Sequence, residues 1–132
     1  MNNLKFRAWD KANKEMLKID VIDFFFKEIR VFKNDGGCFS MKFQDIEIMQ
    51  STGLKDKNGK EIFENDIVEY LDGEYSFIGV VENSVFGIYV ESKYDNYRFE
   101  DFADENTKEA DVVVIGNIYE DKGLLENERG KR

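Results

Sequence analysis

The chain of 132 residues contains no histidine, no proline and a single cysteine, Cys38. Without histidine there is no imidazole to act as general base, to activate a nucleophile or to ligate zinc. A Ser-His-Asp or Cys-His catalytic arrangement within this chain is therefore excluded. Without proline there is no cis-prolyl turn and no polyproline ligand segment. One cysteine cannot form an intramolecular disulfide, so nothing points to an oxidising compartment. Cys38 follows Gly36-Gly37, and with no base to activate it the favoured reading is a small core hydrophobe. Long apolar runs are also missing, and a bilayer span needs about 18–20 consecutive apolar residues. The opening Met1-Asn2-Asn3-Leu4-Lys5-Phe6-Arg7 lacks a basic region followed by an apolar segment and a small-residue cleavage site. The expected location is thus the cytoplasm, with no membrane contact.

What is present supports a packed fold. Apolar residues make up 42% of the chain and aromatics 14%, with 12 Phe, which argues against global disorder despite 36% charged residues. The length allows one domain, or two small modules sharing a core. The net charge of −9 opposes general nucleic-acid binding, which needs clustered Lys and Arg to neutralise phosphates. Lys55, Lys57 and Lys60 lie together, but a solvated turn is the plainer reading of them.

Period-two alternation dominates over helical spacing. Leu4, Phe6 and Ala8 face one way with Lys5 and Arg7 opposite, and Trp9 breaks the pattern before the turn-prone Asp10-Lys11-Ala12-Asn13-Lys14. Met16-Leu17-Lys18-Ile19 reads as the return strand of a hairpin. The stretch from Asp20 to Glu28, with Phe24, Phe25 and Phe26, fits either a short helix or a buried strand. Ile29 to Phe32 reads as a strand ended by Asn34-Asp35-Gly36-Gly37, and Cys38 to Phe43 and Asp45 to Gln50 as two more. After the Asn58-Gly59 turn, Asp66 to Leu71 reads as a strand closed by Asp72-Gly73. Tyr75 to Val81 and Val85 to Val90 read as strands parted by Glu82-Asn83-Ser84, with Gly79 and Gly87 as bulges or tight bends. Val112 to Tyr119 is a nearly continuous apolar strand, expected at the centre of a sheet.

The fold class expected is mainly β with minor α: short-stranded antiparallel sheets, including a small Src-homology-like barrel in the C-terminal part. Residues 1–50 are read as an N-terminal β-rich module and 51–121 as a barrel-like module sharing one core with it. Residues 122–132 are read as a frayed tail.

Few constellations offer chemistry. Asp56-Lys57-Asn58-Gly59 has the look of a calcium loop, but placing Gly59 at position six puts Leu54 and Asn65 where carboxylates are required. No Gly-x-Gly-x-x-Gly or Walker-type loop is present. The segment from Asp95 to Asp111 is acidic, and within it Asp101 to Asp111 is weakly patterned, a loop or one helical turn. It carries Asp95, Glu100, Asp101, Asp104, Glu105, Glu109 and Asp111 against Arg98 and Lys108. These carboxylates could bind a divalent cation or face a basic partner, with a solvated loop as the plainer reading. No carboxylate pair has an apolar neighbourhood marking it as a raised-pKa acid. Tyr89, Tyr94, Tyr97, Phe99 and Phe102 could line a binding face. The simpler expectation places Phe99 and Phe102 in the core and the tyrosines on its rim.

Three blocks together resemble the YopX family of small phage and prophage proteins. They are Lys5-Phe6-Arg7-Ala8-Trp9-Asp10, the long stretch from Gln50-Ser51-Thr52-Gly53 through Asp66-Ile67-Val68, and Val114-Ile115-Gly116-Asn117-Ile118-Tyr119-Glu120. Asn65 departs from the resemblance, standing where many relatives carry glycine. The resemblance implies a phage or prophage origin, a β-rich fold with a small-barrel portion, and homo-oligomers as an open option. It carries over no catalytic residue. Within the blocks the glycines read as turn residues, Asp66 as a turn or cap acceptor, and Ile67 and Val68 as core.

The function expected is a non-enzymatic binding or interaction module without cofactor or metal. Its partner is a host or phage protein met through Asp95, Glu100, Asp101, Asp104, Glu105, Glu109 and Asp111. The alternatives are a carboxylate-based metal-dependent enzyme, or a nucleic-acid binder acting through the lysine-rich turn.

Overall fold

One turn design recurs three times and sets hairpins along the chain. At Asp10, Asp23 and Asp104 a side-chain Oδ1 accepts the N–H groups two and three residues on, at distances from 2.8 to 3.4 Å. The fourth residue after each Asp is a lysine with left-handed backbone: Lys14 (φ 55°), Lys27 (φ 55°) and Lys108 (φ 60°). Such an Asx turn satisfies two backbone donors locally, and the left-handed residue then redirects the chain into the returning strand. Asp10 is fully buried. Its burial opposes ionisation, but the hydrogen bonds from Asn13 and Ala12 outweigh it and hold the carboxyl below its ordinary value.

The computed structural model describes residues 5–33, 35–72, 75–84, 87–93 and 95–125. Several sequence expectations fall outside that set: Leu4, Asn34, Gly73, Val85, Phe86, Tyr94 and the tail beyond Leu125. The chain divides into two compact units, Asn3–Gln50 and one built on Ser51–Arg132.

In the first unit β1 (Phe6–Asp10), β2 (Glu15–Asp23), β3 (Glu28–Phe32), β4 (Cys38–Lys42) and the first half of β5 (Ile46–Lys55) form an antiparallel sheet. Its order is β5-β1-β2-β3-β4. Alternation sends Leu17, Ile29 and Val31 inward beside Ala8 and Ile46, while Lys18, Arg30 and Phe32 face out. Burying each of the larger side chains is worth about 1.5–3 kcal/mol. Trp9, near the end of β1, is buried, as a residue closing the core should be. Two details correct the sequence reading: Cys38 is exposed and not core, and Phe24 to Phe26 form a turn, neither helix nor buried strand.

In the second unit β6 (Glu61–Phe63) pairs with the second half of β5, and β7 (Asp66–Asp72), β8 (Tyr75–Ser84), β9 (Gly87–Ser92) and β10 (Asn96–Arg98) follow as a meander. A short hairpin of β11 (Ala103–Asp104) and β12 (Glu109–Ala110) precedes β13 (Val113–Asn117). The main sheet runs β10-β9-β8-β7-β13 and stays open, so the class is mainly β but no closed barrel forms among the described residues. β13 lies at an edge, not the centre, and its residues are mostly half-buried. Glu82 to Ser84 extend β8 instead of interrupting it. Gly79 is no bulge: its register is regular, and a Cβ there would lie 2.6 Å from Val90 Cγ1 and 2.7 Å from the Glu91 carbonyl oxygen. The core gathers Ile62, Val68, Phe77, Val81, Val90, Phe99, Ala110 and Val112. Helix is limited to 3-10 turns at Phe43–Asp45 and Phe99–Asp101 and one turn over residues 123–125.

Buried polar pins tie this unit together. Asp56 Oδ1 accepts the N–H groups of Asn58 and Lys60, each at 2.9 Å, and Oδ2 accepts that of Val114 at 2.9 Å. One carboxylate thus closes the Asn58-Gly59 turn and fastens it to β13. Asp66 Oδ2 accepts the Phe63 N–H at 2.8 Å, as a turn acceptor should, and the neighbouring Ile67 and Val68 are fully buried. Asn65 adopts φ 69°, a left-handed conformation that asparagine tolerates, so the departure from glycine leaves the turn intact. Asn117 Oδ1 caps the next turn, accepting from Tyr119 and Glu120 at 3.0 Å each.

Two substitutions test these devices by urea unfolding. Asp56→Ala strips an acceptor from three N–H groups at once and is expected to cost about 3 kcal/mol or more. Asp56→Asn keeps the Oδ1 acceptor for Asn58 and Lys60 and should lose clearly less; equal losses would show that the two Oδ1 bonds contribute nothing and that the link to Val114 carries the whole effect. Lys27→Gly relieves a left-handed non-glycine residue and should stabilise by about 0.5–1 kcal/mol, net of the entropy glycine adds to the unfolded chain.

Candidate functional site

The chain leaves β10 through the 3-10 turn at Phe99–Asp101, whose Phe99 ring plugs the core, and enters the β11–β12 hairpin. The Lys55 N–H donates 2.9 Å to the Lys108 carbonyl, and Glu109 pairs in parallel with Lys55, so the hairpin is fastened to β5. Most of the stretch from Asp101 to Asp111 is therefore a pinned hairpin and not a loop or a helical turn, with the 3-10 turn at Phe99–Asp101 leading into it. All seven predicted residues are exposed on it or beside it.

Their surroundings differ. Glu100 and Asp101 both reach Arg98, at 2.9 and 3.7 Å. Asp111 pairs with Lys57 Nζ at 2.9 Å, which engages one lysine of the turn between β5 and β6. Asp104 is committed to its hairpin turn, and Asp95 Oδ1 accepts its neighbour's Asn96 N–H at 3.0 Å. Glu105 and Glu109 face solvent without an ion pair among the described residues. No three Asp, Glu or Cys side chains converge to hold a metal, again among the described residues.

Against this hairpin lies a half-open pocket of 310 Å³. Leu54, Ile88, Phe99 and Ala103 give it apolar walls, and Arg98, Glu100, Glu105 and Lys108 stand around it. Every one of these residues belongs to the second unit. Glu100 and Glu105 are flagged in the sequence but the pocket is not, because its walls come from three strands and a 3-10 turn that only folding brings together. Outside it, Phe77 stacks on Tyr97 at 4.1 Å and on Tyr70 at 5.2 Å, with Phe102 tilted against both tyrosines. Phe99 is core and Phe102, Tyr89 and Tyr97 are half-buried at its margin, which suits a rim better than an open binding face.

Two further features escaped the sequence reading. The turn after Asp23 presents Phe24, Phe25 and Phe26 to solvent, 75%, 85% and 67% exposed. In the second unit Glu82 and Glu91 sit diagonally across β8 and β9 and share a hydrogen bond. Partial burial, that bond and the Glu91 charge raise the Glu82 carboxyl above its ordinary 4.5. A raised carboxyl weakens the fold at neutral pH, where it must ionise, and ceases to do so once it is protonated. Glu82→Gln should therefore raise the melting temperature at pH 7, and the gain should vanish as the pH falls below about 4.5. A gain that persists unchanged at pH 3 would contradict the shared proton.

The comparisons with known proteins agree with this architecture. Protein EF1440 from Enterococcus faecalis is 30% identical, with a TM-score of 0.62 over 95% of this chain and 99% of that one. Protein yopX from Bacillus subtilis, 22% identical, shares the fold with a TM-score of 0.61 over 95% of this chain and 99% of its own. No curated protein matches. The family model described as YopX protein matches residues 5–126, and the chain belongs to the YopX family.

Proposed function

We propose that this protein is a non-enzymatic binding module, working in the cytoplasm of a phage-infected or lysogenic bacterium. Its acidic segment from Asp95 to Asp111 docks on a basic surface of a host or phage protein. The observation that carries this reading is the exposure of all seven carboxylates, three of them (Asp104, Glu105 and Glu109) on a hairpin pinned to β5 and the other four in the segments beside it. A rigid scaffold presents charge without the ordering cost that a floppy acidic loop pays on binding. Complementary charge of this kind speeds encounter and selects partners. The reading needs no cofactor. Self-association of the chain would multiply the acidic surface and add avidity.

A pull-down from host lysate tests the proposal. At about 0.1 M salt a partner should be retained, and at about 1 M, where screening is nearly complete, it should be released. The double variant Glu105→Lys with Glu109→Lys, checked for unchanged circular dichroism, should lose the partner at low salt. Recovery of no partner, or of one indifferent to both salt and the double variant, would sink the electrostatic reading.

A further inference from the structure

The pocket beside the acidic hairpin is not needed by purely electrostatic docking. Its 310 Å³ lies at the bottom of the range of about 300–1,000 Å³ typical of ligand sites, enough for one large side chain but small for a nucleotide-sized cofactor. Leu54, Ile88, Phe99 and Ala103 form walls from β5, β9, the 3-10 turn and β11. Phe99 itself is packed into the core, so the floor is rigid.

The rim itself is evenly charged, with Arg98 and Lys108 against Glu100 and Glu105, but the surface around it is acidic. The chain from Arg98 to Asp111 that builds this side carries six carboxylates against two cations. Arg98 is already held by Glu100 and Asp101, which leaves its charge compensated. Glu105, at the wall, has no ion pair among the described residues. An apolar metabolite would use the walls and leave these carboxylates without a role. A basic segment lacking an apolar residue would do the reverse. The two halves of the site ask for both in one ligand.

We infer that the pocket receives one large apolar side chain of a protein segment whose flanking residues are lysine or arginine. The inference rests on the acidic-docking reading and adds to it the anchor that would supply most of the affinity. Protein interfaces commonly concentrate their energy in one desolvated anchor ringed by polar contacts, and the pocket, with a charged rim inside an acidic surface, has that layout.

The test is selection from a random peptide library on the full chain at low salt, followed by synthesis of the enriched peptide. Enriched sequences should carry one Phe, Trp, Leu or Met flanked by Lys or Arg. Replacing that apolar residue by Ala should weaken binding about thirtyfold, the equivalent of about 2 kcal/mol. Adding the parent peptide should shift the methyl resonances of Leu54 and Ile88. Ala103→Leu, which fills the pocket, should weaken the parent peptide and leave the Ala-substituted peptide unchanged; its unfolding curve reports whether the variant is intact. If the parent and Ala peptides bind alike, or the Leu54 and Ile88 methyls do not move, the anchor is wrong. Salt-sensitive basic peptides would in that case leave the docking reading standing. If the enriched peptides are not basic at all, both readings fall.

Discussion

The carboxylate of a turn aspartate accepting backbone N–H groups is the interaction on which this molecule depends. Sheets made of short strands need many reversals, and each reversal leaves backbone donors that the sheet ladder cannot reach. With no proline to preset turns, the chain uses aspartate to satisfy these donors and a left-handed residue to exit. Asp10, Asp23 and Asp104 do this at three hairpins, Asp66 does it before β7, and Asp56 extends it across the unit to β13. Buried carboxylates are costly unless their oxygens find donors, and at Asp56 three backbone amides supply both oxygens.

This reliance on aspartate changes how the net charge of −9 is understood. Part of the acidity is structural: Asp10, Asp56 and Asp66 are buried and spent on backbone amides. Of the predicted acidic surface, Asp104 belongs to the same structural class and Asp95 is occupied locally. Glu100 and Asp101 share Arg98, and Asp111 holds Lys57. What remains uncompensated is Glu105 and Glu109, on the two sides of one tight turn. The uncompensated acidic surface is therefore narrower than a count of seven suggests, and it is centred on the hairpin beside the pocket.

Local signals in the sequence were readable where one residue type decides the geometry. The Asn58-Gly59 turn, Asp66 as acceptor, and Ile67 and Val68 as core follow from turn chemistry and hydrophobicity, and the structure has them all. The turn at Asp10 was also visible, yet the same Asp-x-x-x-Lys spacing at Asp23 and Asp104 was not recognised. In the former, three phenylalanines outweighed the turn signal, because apolar runs are ordinarily buried. The edge position of β13 was missed for a different reason: a run of valine and isoleucine states that a strand is apolar, not which strands flank it. The pocket was invisible, since its walls come from residues 54 to 108 and only their folding brings them together.

The family blocks and the candidate site occupy different residues, and physics explains the division. Asp10, Asp56, Asp66 and Asn117, the polar pins, all lie inside the three blocks that carry the resemblance. Each of them holds backbone amides through a side-chain oxygen, so replacing one by a residue without such an acceptor damages the fold before it touches any function. The pocket and the acidic hairpin lie between the second and third blocks, with Leu54 as the single shared residue. Ala103 and Glu105 satisfy no buried donor, so they can change in size or charge while Asp56 continues to hold β13. A fold pinned at its turns thus frees one hairpin to vary. Within the hairpin from Ala103 to Ala110 the same division holds: Ala110, Asp104 and the Lys108 carbonyl serve the core, the turn and the tie to β5, while the exposed Glu105 and Glu109 side chains hold nothing in place.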